Sequence, residues 1–194
     1  MFIQTDTTPN PEVLKFIPGR TVIGDAGRVR EFHNPQEAQA SGLARAIFTV
    51  EGVKRVFFAR DFLTVTKDEA QDWSYLKAPI LAAIMDHYTT GDADEAPFEA
   101  GTAADPADDR VYSAEAAEIV QEIKDLLDTR VRPAVAEDGG DILFSHFEPD
   151  TGVVWLHMRG ACAGCPSSAA TLKAGVENLI RHYIPEVTAV EQAL

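Results

Sequence analysis

The sequence predicts an α+β protein: two small α+β domains joined by an acidic flexible linker. Strand-like alternation and helix-like apolar spacing are interleaved in both halves of the chain. Between them, residues 91–110 hold seven acids against one base, separated by Gly, Ala and Pro. The length of 194 residues suits one or two cores. The expected limits are 1–90 for the first domain, 91–110 for the linker and 111–194 for the second domain.

In the first domain, Phe2 to Thr5 alternate as a strand. Thr8-Pro9-Asn10-Pro11 forces an extended or turning segment, because proline biases the residue before it away from helix. Leu14, Phe16 and Ile17 are apolar, Pro18-Gly19 is a turn, and Thr21-Val22-Ile23 is expected to be the second strand. A helical pattern runs from Pro35 to Phe48 through Ala38, Leu43, Ala44 and Ile47. Val53 to Phe58 and Asp61 to Lys67 are the next two strands. Trp73, Leu76, Ile80, Leu81, Ile84 and Met85 trace a helix with Pro79 in its early turns. The expected order is strand, strand, helix, strand, strand, helix.

Residues 91–110 offer one large apolar side chain, Phe98, which cannot offset the entropy of ordering twenty residues. Like charges keep such a segment extended. The first domain is almost neutral, with ten bases and eleven acids. Residues 111–194 are acidic, with six bases and thirteen acids.

The second domain opens on a helix with Ser113 as its N-cap and Ile119, Ile123, Leu126, Leu127 and Val131 as its buried stripe. Pro133 bends or ends it near Arg132. Glu137-Asp138-Gly139-Gly140-Asp141 is a turn. Ile142–Phe147 and Val153–Met158 form a hairpin across Pro149 to Gly152. A helix follows through Leu172, Val176, Leu179, Ile180 and Tyr183, and Val187–Val190 is a short last strand.

The chemistry lies between the hairpin and that helix, in Gly160-Ala161-Cys162-Ala163-Gly164-Cys165-Pro166-Ser167-Ser168, which contains the only two cysteines. Their spacing lets two sulfurs converge on one metal atom or on each other. Pro166 suits a first helical turn, so Cys165 is expected at the positive end of the helix, where thiolate is stabilised. Zinc and the common iron–sulfur clusters prefer four ligands. His157 and His146 lie on nearby strands, but packing or surface roles explain them better, and His33, His87 and His182 have no ligand spacing to the cysteines. A second copy of the chain would supply the missing pair, and two-fold dimers are the commonest closed assembly. Arg159 and Lys173 are the bases near the loop.

The formal net charge of −14 disfavours nucleic acid and anionic membrane surfaces. No apolar run is long enough to span a bilayer. Met1 to Asp6 carries no secretory or Arg-rich leader, so a cytoplasmic location, in a prokaryote, is expected. Reduced thiols there read as metal-binding or redox-active.

Val131-Arg132-Pro133, Glu137 to Asp141, Gly160 to Ser168, Thr171 to Asn178 and Tyr183 to Val187 together resemble the C-terminal domain of the NifU/Nfu iron–sulfur proteins. Phe2 to Thr5, Thr8 to Pro11, Leu14 to Phe16, Pro18-Gly19, Asp61 to Lys67 and Ile84 to His87 resemble the Nfu N-terminal domain. The resemblance implies a scaffold or carrier, not an enzyme. It implies a homodimer that holds a [4Fe-4S] cluster between its subunits, with Cys162 and Cys165 as ligands, and passes it from upstream assembly proteins to apo iron–sulfur proteins. Without the family, four thiolates suit [2Fe-2S] equally. A thiol–disulfide reductase and a zinc-stabilised dimer are the competing readings.

Overall fold

The computed structural model describes residues 2–24, 29–90, 108, 110–163 and 166–193, with the side chains of residues 166–169 left aside. The chain divides into two compact units, Met1–Ala103 and Ala104–Leu194, and each is α+β. Of the stretch expected to be the linker, only Asp108 and Arg110 are among the described residues.

The first unit is a five-stranded antiparallel sheet in the order β1-β2-β5-β4-β3. Its strands are β1 (Gln4–Thr7), β2 (Val13–Ile17), β3 (Arg30–Phe32), β4 (Val53–Phe58) and β5 (Leu63–Lys67). Cross-strand neighbours Leu14–Val65–Val56–Phe32 and Phe16–Leu63–Phe58 stand on one face. They pack with Leu43, Ala44 and Ile47 of α1 (Gly42–Phe48) and Leu76, Ile80 and Ile84 of α2 (Trp73–Thr89). The period-two and 3.6-period stripes seen in the sequence therefore meet in one core.

Two local expectations are corrected. Thr21-Val22-Ile23 is not a strand: it bends, with Val22 N–H bonded to the Arg60 carbonyl at 2.7 Å and its side chain buried. The second strand is instead Val13–Ile17, whose every residue but the last is buried, so period-two alternation is erased. The helix expected over Pro35–Phe48 is interrupted at Ser41. A 3-10 turn covers Glu37–Ala40, then Ser41 takes extended angles and its hydroxyl caps α1 by accepting from Ala44 N–H at 3.0 Å. Thr8 to Pro11 serves as turn chemistry. The Thr8 hydroxyl lies 2.9 Å from the Asn10 carbonyl, Asn10 Oδ1 accepts from Glu12 N–H at 3.0 Å, and Trp73 Nε1–H donates to the Pro11 carbonyl at 3.0 Å.

The second unit starts with α3 (Ala114–Leu126), capped by Ser113 as expected. Pro133 does not end the helical run. A single π-helical turn at Leu127–Val131 leads into α4 (Arg132–Glu137), with Pro133 in its first turn. Strands β6 (Gly140–Glu148) and β7 (Val153–Gly160) pair antiparallel, and β8 (Ala189–Gln192) lies parallel to β7. A parallel neighbour requires a crossover, and α5 (Pro166–Tyr183) provides it. The core joins Ile123, Leu127, Val131 and Val135 to Ile142, Val154, Leu156, Met158, Val176 and Ile180, and Cys162 belongs to it. Among the described residues no helix is long and apolar enough to cross a membrane.

Candidate metal centre

Cys162 follows the end of β7 in a tight turn. Gly160 has φ 63°, a value that glycine tolerates and other residues rarely adopt, and its carbonyl accepts from Ala163 N–H at 3.1 Å. The turn is strapped to the α4–β6 corner. Gly140 pairs with Gly160 across the ladder, and Ala161 N–H donates to the Gly139 carbonyl at 3.1 Å. Gly139, at φ 81°, makes that corner. Cys162 is 5% exposed and its sulfur rests directly on Gly140. A Cβ on Gly140 would overlap that sulfur and would also stand 2.9 Å from the Arg159 carbonyl and 3.1 Å from Cys162 N. Gly140, expected only as part of a turn, is thus the floor beneath the thiol.

The second thiol of the motif, Cys165, lies outside the described residues, as does Gly164. Helix α5 begins at the next residue, Pro166, as the sequence predicts. At eighteen residues, α5 carries a partial positive charge at this N-terminal end, from the backbone N–H groups that have no partner within the helix.

His146 and His157 do not join Cys162. Along β7 the buried positions are Val154, Leu156, Met158 and Gly160, on the core side with the sulfur; Trp155, His157 and Arg159 alternate with them and face the other side. His146 stacks on Trp155 there, ring centroids 5.5 Å apart. Burial lowers the proton affinity of both rings. Arg110 reinforces this at His146 against the opposing carboxylates of Glu148 and Asp108, and Arg159 reinforces it at His157. The signs predict a pH effect. The unfolded chain takes up protons below the ordinary histidine value of 6.5 while the folded unit resists them. Stability present above 6.5 is therefore lost as pH falls through the lowered folded values. The urea midpoint of the second unit should drop modestly between about pH 7 and 5.5, and His146→Asn with His157→Asn should flatten that drop.

The other histidines are placed elsewhere. His33 is near Glu31 at 3.8 Å, His87 packs edge-on against Tyr88, and His182 packs edge-on against Tyr183. Among the described residues no three His, Cys, Asp or Glu side chains gather as a metal-binding group. Of the two bases near the loop, Lys173 is engaged by Glu191 at 2.6 Å. Arg159 stands opposite Asp141 in the β6–β7 register. Asp141 itself is taken by Arg132, whose Nε and Nη2 reach its two oxygens at 2.9 Å each, while Nη1 reaches Asp128 at 3.0 Å. The Asp141 bond, outweighing desolvation, raises the affinity of the guanidinium for its proton. The Asp141 carboxylate therefore serves the α4–β6 corner. Sequence spacing could not reveal this pair, because nine residues separate its members with a helix and a corner between.

Comparison with known proteins bears on both units. The family model described as "Scaffold protein Nfu/NifU N terminal" matches residues 3–91, and the "NifU-like domain" matches residues 123–191. NifU-like protein 4, mitochondrial, of Arabidopsis thaliana is 48% identical over 194 residues, covering 99% of this chain and 66% of that protein. NifU-like protein 5, mitochondrial, of the same plant is 48% identical over 99% of this chain and 68% of its own length. The human NFU1 iron-sulfur cluster scaffold homolog, mitochondrial, is 48% identical over 100% of this chain and 72% of its own. The chain spans about two thirds of the length of the curated relatives it matches. Their names overturn the expected cytoplasmic location, since each is described as mitochondrial. That expectation rested on the first residues, and a compartment address is read from segments outside the folded domains. With both halves matched in order and nearly half of all positions identical along its length, the chain belongs to the Nfu/NifU family.

Proposed function

We propose that two copies of this chain hold one [4Fe-4S] cluster through Cys162 and Cys165 of each, receive it from upstream assembly proteins, and pass it to apo iron–sulfur proteins. The cluster is cargo, and the protein performs no catalysis of its own. The working division is 1–90, an acidic linker over 91–110, and 111–194 as the cluster-binding domain.

One observation carries this reading. The chain has only two cysteines, and the histidines nearest to them in sequence face the opposite side of the sheet from Cys162. Half of a four-ligand sphere is then left to a second copy. The relatives named as iron–sulfur cluster scaffolds support the choice of iron and sulfide over zinc. Cluster geometry of this kind suits release: neither subunit encloses the cargo, and the acidic second domains repel one another once it leaves.

The test is sedimentation of anaerobically reconstituted protein, followed at the visible charge-transfer absorption, before and after chelation. Brown material at twice the chain mass, returning to single-chain mass as iron is removed, is the expected result. Iron-loaded protein at single-chain mass would end the bridging model. Colourless protein with stoichiometric zinc, or fast reduction of a disulfide substrate, would favour the two competing readings.

A further inference from the structure

The geometry points to Arg132 as a positioning residue for Cys162, acting through Asp141 and Gly140. The inference rests on the proposed role of Cys162 as a ligand, but its structural content stands apart from that role.

The α4–β6 corner is held from two sides. On one side, Arg132 grips both oxygens of Asp141 at 2.9 Å and reaches back to Asp128 at 3.0 Å. Asp141 is only 4% exposed, so its carboxylate has little access to water in place of the guanidinium. On the other side, Gly140, the residue immediately before Asp141, is the surface on which the Cys162 sulfur lies. Gly140 pairs with Gly160 and Gly139 bonds to Ala161, so the cysteine turn moves with the corner. A bidentate pair fixes the orientation of a carboxylate as well as its distance. Fixing Asp141 therefore fixes the plane of the Gly140 backbone and, with it, the height of the sulfur. The π-helical turn at Leu127–Val131 immediately precedes Arg132 and resets the face of the helical run, which α4 then resumes with the guanidinium on Asp141.

A simple staple between helix and strand would stabilise the unit without bearing on the thiol. The two roles separate in the reactivity of Cys162. In metal-free full-length protein carrying Cys165→Ser, Cys162 is the only thiol. Its alkylation by iodoacetamide reports how often the turn lifts from the corner. Arg132→Gln should raise that rate about tenfold, the scale expected for losing hydrogen bonds to a charged group. The urea dependence of the rate should stay shallow, as for local opening. Arg132→Lys, which cannot fork onto both oxygens, should fall between wild type and Arg132→Gln. Asp141→Asn provides a milder break of the same pair should Arg132→Gln not fold. An unchanged rate in Arg132→Gln and Asp141→Asn, or a rise that follows global unfolding across the urea series, would overturn the inference.

The two-cysteine protein gives the second readout. After anaerobic reconstitution, Arg132→Lys should shift the visible circular dichroism of the bound cluster while retaining iron. If wild type binds no iron, the proposed function fails and the alkylation result still decides the role of Arg132.

Discussion

Replacing either cysteine with alanine should remove the cluster and the iron-dependent dimer together. Iron and acid-labile sulfide should fall from wild-type content to background in both Cys162→Ala and Cys165→Ala, and the protein should sediment as the metal-free chain. The effect should be all or none if the proposed bridging holds, because a four-ligand cluster then loses two ligands at once when both subunits carry the change. The folded state should survive. Cys162 is buried in the second unit's core but behaves there as a small apolar side chain, and removing one sulfur leaves a small void costing about 1 kcal/mol. Far-ultraviolet circular dichroism and a urea titration separate loss of cargo from loss of fold. A full cluster in either variant would dispose of the bridging model.

The second large effect is expected at Gly140. A methyl group there would press on the Cys162 sulfur and on backbone at two points, the Arg159 carbonyl at 2.9 Å and Cys162 N at 3.1 Å. Backbone atoms cannot swing aside as a flexible side-chain end can, so Gly140→Ala must spread β6 from the cysteine turn. Overpacking of this kind costs about 1–3 kcal/mol, and the upper end is expected here. The same displacement should lower iron loading, since the sulfur loses its floor. Gly175→Ala is the control. That glycine is in α5, is exposed, and has nothing within 4 Å of a new Cβ. It should gain about 0.5–1 kcal/mol from helix propensity. Opposite shifts in the urea midpoints of the two Gly→Ala variants are the expected outcome.

Elements whose cause is local were legible in the residues. The stripes of α2, α3 and α5, the Ser113 cap and the alternation of β7 all repeat within a few positions and are satisfied by side chains nearby. Strand β2 was missed because both of its faces are buried, Lys15 included, so its apolar residues show no two-residue period. Ser41 was passed over because a helical pattern runs through it on both sides. Only the meeting of the segments in three dimensions made it a cap that divides a 3-10 turn from α1.

The same division applies to the candidate site. Sequence by itself singled out Cys162 and Cys165 as the candidate pair and predicted the helix that starts after them, because each follows from residue type and spacing. Tertiary structure alone decided what lies under the sulfur and what braces it. The Gly140 floor and the Arg132–Asp141 brace join residues from separate elements. Tertiary structure also set His146 and His157 on the far face of the sheet, through a ladder register fixed by which side of β7 is buried. Contacts between elements depend on how the chain closes on itself, and no spacing along the chain encodes them.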